Sequence, residues 1–262
     1  MANGSYLAAL IALIGACLGS FANVAALRSV RGEDWIRQPS ACFHCGKRLS
    51  FFANLPIFGY LRHGGRSGCC GQRLPRRYLF VELAMAALLV LAFTQLSLPI
   101  FLSFVPFIIL MVVIFLTDMD AFIIPDWASL GGLGLGLGLA VLRAPGLPVI
   151  TDALLGGACG FALIYFINAA YKLWRGQDGM GFGDVKLMAM LGVWLGPLAL
   201  LPILFAASIS GAFFGILAIL VAQARQAGKE QDQPAQVPFG CFLAPMALVW
   251  LLFAPQLLSA AQ

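Results

Sequence analysis

PIFLSFVPFIILMVVIFL (residues 99–116) runs for 18 positions without a charge, then breaks into TDMDAFIIPD (117–126), which carries Asp118, Asp120 and Asp126. An uncharged run of that length reads as a membrane-spanning helix, where a buried helix of a soluble domain would be shorter. Three acids at the membrane edge are costly unless they are used. On a helix, positions two apart point about 200° away from each other. Asp118 and Asp120 therefore cannot serve one site together: one should line a cavity and the other face water or a basic partner. Pro125 suits a first helical turn, with Asp126 beside it favourable to the helix dipole.

The rest of the chain has the same character. Of 262 residues 61% are hydrophobic and 10% charged, with a mean hydropathy of +0.93. Soluble domains average about 25% charged residues, so that class is excluded. The apolar stretches are continuous runs of about 20 residues, which also excludes a transmembrane β-barrel built from alternating segments of about 10. The expected fold is an all-α polytopic membrane protein with about eight transmembrane helices. The expected spans are 6–27, 79–96, 99–116, 125–142, 151–173, 185–198, 201–223 and 240–258. No cleavable signal peptide is expected, because the first run lacks a basic leader and is long enough to span.

Charge gives the orientation. Arg28, Arg31, Arg37, Lys47, Arg48, Arg62, Arg66, Arg73, Arg76 and Arg77, ten of the sixteen Lys and Arg, fall in one loop. Eight spans put Lys172, Arg175, Lys186, Arg225 and Lys229 on the same side and only Arg143 opposite. By the positive-inside rule that side is cytoplasmic and both termini are periplasmic. The expected division is a first transmembrane helix (1–27), a cytoplasmic basic and cysteine-containing loop (28–78) and a seven-helix membrane domain (79–262). A polar connection, 224–237, precedes the last span.

A second polar interruption is Gly181-Phe182-Gly183-Asp184-Val185-Lys186, just after Arg175–Met180, a segment that includes Asp178. Asp184 reads either as a helix-capping acid or as a functional group. The topology brings Asp118 and Asp184 out on one cytoplasmic face, 66 positions apart in sequence. Two carboxylates at one membrane edge suit an aspartyl protease. Such a pair shares one proton; the ionised member activates water and the protonated member polarises the scissile carbonyl. Gly181 and Gly183 would let a backbone or the partner carboxylate approach closely. A proton- or ion-coupled transporter would also place acids in a helix bundle, but nearer the bilayer midplane. A non-catalytic scaffold is a third reading.

Cys42-Phe43-His44-Cys45 with Gly46 has the form of a zinc knuckle, and Cys69 and Cys70 lie downstream with His63 nearby. The alternatives are a zinc-stapled hairpin and a set of reduced, unligated thiols; a cytoplasmic disulfide is not expected. Cys17, Cys159 and Cys241 lie within spans and read as small packing residues. Gly19-Ser20 permits close helix approach, and Asn23 needs an interhelical partner. Glu82 reads as a helix-start acid paired with an arginine or as a catalytic group. Gly132/Gly136 and Gly134/Gly138 are pairs that permit tight helix contact.

Taken together, these motifs resemble the bacterial prepilin peptidases of type IV pilus and type II secretion systems, membrane aspartic proteases of the GxGD type. The resemblance runs from Gly19–Val24 through Cys42–Cys45, Arg77-Tyr78 with Glu82, Asp118–Asp126 and Gly181–Lys186 to Pro238-Phe239-Gly240. It implies that Asp118 and Asp184 are catalytic, with Asp120, Asp126 and Lys186 shaping the site. It implies cleavage of a basic leader from prepilins or pseudopilins after Gly, on the cytoplasmic side of the bacterial inner membrane. Many such enzymes also methylate the new N-terminus from S-adenosylmethionine, an activity associated with the same loop as a four-cysteine zinc site. Here that set would be Cys42, Cys45 and Cys70 with Cys69 or a histidine as the fourth ligand, because Ser67 stands where the second CxxC would begin. Cys241 follows Pro238-Phe239-Gly240 in place of the usual proline and is expected to alter a helix start and not the chemistry. Besides prepilins, the lipid bilayer is the expected partner, and no nucleic acid is expected.

Overall fold

The computed structural model describes residues 2–35, 41–42, 44–48, 55–177, 179–225 and 238–260. Arg37, Asp178, Lys229 and most of the polar connection 224–237 lie outside them. The described helices are α1 (Ala2–Arg31), α2 (Phe58–Arg62), α3 (Arg77–Gln95), α4 (Leu98–Ala121), α5 (Asp126–Val141), α6 (Ile150–Arg175), α7 (Phe182–Leu195), α8 (Leu200–Arg225) and α9 (Gly240–Ala260). A 3-10 turn, Pro197–Ala199, separates α7 from α8. Each expected apolar span coincides with one helix, so the chain is an all-α polytopic membrane protein. Among the described residues five helices are long and apolar enough to cross a bilayer, while α5 and the Gly240–Ala254 part of α9 are shorter.

Two compact units divide the chain, Met1–Val113 and Ile114–Gln262. In the first, α1 lies against α3 along Gly15 and Gly19. A Cβ on Gly15 would stand 2.7 Å from Ala86 Cα, and one on Gly19 would stand 2.9 Å from Val81 O. Asn23 is fully buried, and its Oδ1 accepts a 3.0 Å hydrogen bond from Arg77 Nε. That is the interhelical partner its polarity demands in an apolar setting.

The second unit is arranged around α7. Every residue of α7 from Asp184 to Trp194 is buried except Lys186. At 1.5 Å per residue its 14 residues span about 21 Å, short of the roughly 30 Å hydrocarbon core. A helix apolar all round belongs inside a bundle. Its neighbours come unusually close. A Cβ on Gly156 or Gly160 of α6 would run into the carbonyl oxygens of Gly192 and Met188. These two glycines form a GxxxG pair. On α5, Gly132 O accepts from Trp194 Nε1 at 2.8 Å, and Gly136 lies under the same indole. Gly134 and Gly138 face open space instead, so only one of the two expected glycine pairs on this helix makes a helix contact.

Candidate active site and thiol cluster

Asp118 sits one turn before the end of α4. The helix stops because Phe122 adopts φ 56°, and the Phe122 N–H closes onto Asp118 O at 3.0 Å. Asp118 is buried, while Asp120, two residues on, is exposed, as the helical period requires. The chain then turns inward at buried Ile124 and restarts as α5. Pro125 is the extended N-cap of this helix and not its first turn; Asp126 takes that place.

Asp184 is set by a second turn. Gly176 ends α6 in the left-handed region (φ 74°), and the Gly179 and Met180 N–H groups both donate to Asn168 Oδ1 of α6, at 2.9 and 3.1 Å. Gly181 is the extended N-cap of α7, which places Asp184 at the third helical position. The Asp184 carboxylate accepts from the Gly181 N–H, half of a capping box. Its capping and functional readings are therefore compatible. Asp184 is buried, and its carboxyl lies within electrostatic reach of Asp118.

Glycines let these turns meet. A Cβ on Gly183 would stand 3.1 Å from Ile124 Cβ, whereas one on Gly181 would have ordinary clearance from Asp184. The tightest approach is at Gly240, the first residue of α9, where a Cβ would stand 2.9 Å from Asp118 Oδ2 and 3.1 Å from Ile124 Cδ1. The next residue, Cys241, donates its backbone N–H to Asp118 Oδ2 at 2.9 Å. Asp118 thus accepts from the positive end of α9. The substitution at Cys241 does more than alter a helix start: a proline there would have no such donor. Cys241 is also more than a packing residue, since its thiol donates to Phe115 O at 3.3 Å. Cys17 and Cys159 are exposed on their helices and do not pack inward as expected. Outside the carboxylate pair, Lys186 Nζ lies 2.6 Å from Asp126 Oδ1 and 5.2 Å from the centre of the Phe182 ring. This partly exposed ion pair ties the first turn of α5 to the second turn of α7.

The first unit holds the other cluster. The sulfurs of Cys42, Cys45, Cys69 and Cys70 all lie within 4.8 Å of one another, with only Cys42 buried. A tetrahedral ion with about 2.3 Å bonds to sulfur needs sulfurs roughly 3.8 Å apart. The observed Cys42–Cys70 and Cys45–Cys69 separations are 3.7 and 3.2 Å, so the set fits a soft, four-coordinate metal. Burial works to raise the Cys42 thiol. Hydrogen bonds from Ser67, from the His44 and Cys45 backbone and from Cys69 outweigh it and bring Cys42 down to about 5. At Cys45 the Lys47 backbone pulls downward, but the contacts with Cys69, Cys42 and Cys70 together with burial outweigh it and the thiol rises to about 11.

Glu82 is buried at the start of α3. It accepts the Ile57 N–H at 2.7 Å and a hydrogen bond from the Ser20 hydroxyl. Ile57 reaches it with φ 62°. No local pattern in the sequence announces that long-range contact.

Family models match two stretches of the chain: a bacterial peptidase A24 N-terminal domain over residues 13–96 and the type IV leader peptidase family over residues 105–216. Among similar proteins, a prepilin leader peptidase/N-methyltransferase of Aeromonas hydrophila is 34% identical over 80% of this chain and 71% of its own length. Proteins of the same description from Pseudomonas putida (29% identical; 98% of this chain, 94% of its own) and Myxococcus xanthus strain DK1622 (31%; 97% and 75%) match nearly the whole chain. No solved structure matches it.

Proposed function

Because the chain belongs to the type IV leader peptidase family, we propose that it is an aspartic endopeptidase of the bacterial inner membrane that removes the basic leader of prepilins and pseudopilins after Gly. The observation that carries this reading is the pair of buried carboxylates, Asp118 and Asp184, from two helix ends in electrostatic contact. Family membership leaves the transporter reading without support.

In the proposed mechanism the dyad shares one proton. The ionised carboxylate takes a proton from water as the water oxygen attacks the scissile carbonyl carbon, and the protonated carboxylate donates to the carbonyl oxygen. Collapse of the tetrahedral intermediate breaks the C–N bond. The leaving nitrogen takes a proton from one carboxyl while a hydroxyl of the intermediate returns its proton to the other carboxylate, so the dyad again holds one shared proton. Cys241 N–H orients Asp118, Gly181 N–H orients Asp184, and Gly183 and Gly240 supply the clearance the two turns need. Asp126 and Lys186 fix the separation of α5 and α7, and exposed Asp120 offers a negative group to a basic leader. The charge distribution supports a cytoplasmic face for this site and periplasmic termini.

The remaining assignments follow the division into a first helix (1–27), a cytoplasmic loop (28–78) and a peptidase bundle (79–262). Cys42, Cys45, Cys69 and Cys70 would hold a structural zinc that staples the loop. The second reaction would be methylation of the new N-terminal amine, with S-adenosylmethionine supplying the methyl group.

Mass spectrometry of a prepilin incubated with the purified protein and S-adenosylmethionine tests both reactions. A product beginning after the leader Gly and heavier by one methyl group is expected. An intact prepilin would contradict the peptidase reading, and a cleaved but unmethylated product would contradict the second activity.

A further inference from the structure

The two cysteine-bearing turns of the first unit repeat one structure at an offset of 25 residues. In the first, Cys42 N–H donates to Lys47 O (2.8 Å), Gly46 N–H donates to Cys42 O (2.9 Å) and Ala41 bridges Arg48. In the second, Ser67 N–H donates to Gln72 O (2.7 Å), Gly71 N–H donates to Ser67 O (2.8 Å) and Arg66 bridges Arg73. Gly46 and Gly71 take the same left-handed conformation, φ 68° and 71°. Backbone for backbone, Cys42 corresponds to Ser67 and Cys45 to Cys70. A turn of this form aims its first and fourth side chains at a common point, as C-x-x-C metal knuckles do. The second turn therefore offers positions 67 and 70, and position 67 carries a hydroxyl.

Ser67 is buried, and its Oγ lies 3.1 Å from Cys42 Sγ and 3.1 Å from Cys69 Sγ. Cys69 belongs to the tip of the turn, a position that in the first turn is His44. Its sulfur reaches the cluster nevertheless, 3.2 Å from Cys45 Sγ. Among free thiols the hydroxyl can donate to one of these sulfurs and accept from the other, and once Cys69 is a thiolate ligand the single hydroxyl proton can be donated to Cys69 Sγ.

We propose that Ser67 is a positioning residue of the metal centre: it stands at a ligand position of the second turn, and its hydroxyl holds Cys69 in place as the fourth sulfur ligand. This rests on the reading that the four thiols hold zinc. Two consequences follow. Removing the hydroxyl leaves four thiolates but loosens their arrangement. Moving the thiol from position 69 to position 67 rebuilds a regular pair of knuckles and spares Cys69.

The test uses the full chain in detergent. It reads zinc per chain by elemental analysis, affinity by competition with a chromogenic chelator, and the thiolate-to-metal absorption of the Co²⁺-loaded protein. Ser67→Ala is expected to keep one metal per chain and a four-thiolate spectrum but to bind roughly 10- to 100-fold more weakly, the usual cost of losing an outer-shell partner. Cys69→Ser is expected to lose the four-thiolate spectrum, and Ser67→Cys combined with Cys69→Ser to restore it. A Ser67→Ala protein that binds like the wild type would overturn the inference, as would a double variant no better than Cys69→Ser alone. Wild-type protein free of zinc would bring down the metal reading with it. Prepilin cleavage by each variant serves as the check that the chain has folded.

Discussion

Asp118 and Asp184 are both buried, held by helix ends whose glycines admit backbone at near-contact distance, whereas three of the four clustered sulfurs are exposed on two short turns. The carboxylates need no outside group to keep their places: Gly240, Cys241 and Gly181 hold them through sterics and N–H donors. The thiols crowd to 3.2–3.7 Å with little packed around them, and a bound ion would supply what the fold does not. Damage to packing should therefore fall on proteolysis, and damage to metal binding on the loop.

The largest such effect is expected at Gly240. In Gly240→Ala the new methyl would lie 2.9 Å from Asp118 Oδ2, tighter than real Cβ contacts allow, and the carboxylate must shift. A displacement of about 1 Å in a catalytic group costs on the order of 10²-fold in rate. Steady-state cleavage of a prepilin should show that loss, with zinc content unchanged. A rate near wild type would break the contrast, because it would mean the site tolerates movement as the loop does.

A smaller effect is expected for Cys241→Pro. Proline suits the first turn of a helix, so α9 should persist while Asp118 loses one N–H donor. One net hydrogen bond is worth about 1 kcal/mol, so a loss of roughly fivefold in kcat/KM is expected. No change would show that the remaining contacts at Gly240 suffice to hold Asp118.

The apolar helices among the described residues were legible in the sequence because long uncharged runs have few alternatives in a bilayer. Their ends were less so. The helix α4 continues through Thr117–Ala121, and α7 begins at Phe182, because polar residues at a membrane edge remain helical when one face is buried. Asp118 and Asp184 could be paired from topology and motif. That Cys241 N–H reaches Asp118 across 123 positions could not, since backbone donors leave no trace in side-chain identity. The tight crossing at Gly156 and Gly160 could have been read from its GxxxG spacing. The role of Ser67 emerges only when the two turns are laid over each other.

The most direct test of the central claim measures prepilin cleavage by Asp118→Asn, Asp184→Asn and chelator-stripped wild-type protein side by side. Loss of a member of a catalytic unit typically costs on the order of 10⁴-fold or more, so both Asn variants should fall by about that much while the stripped protein still cleaves. Cleavage near the wild-type rate by either Asn variant would contradict the assignment of the dyad.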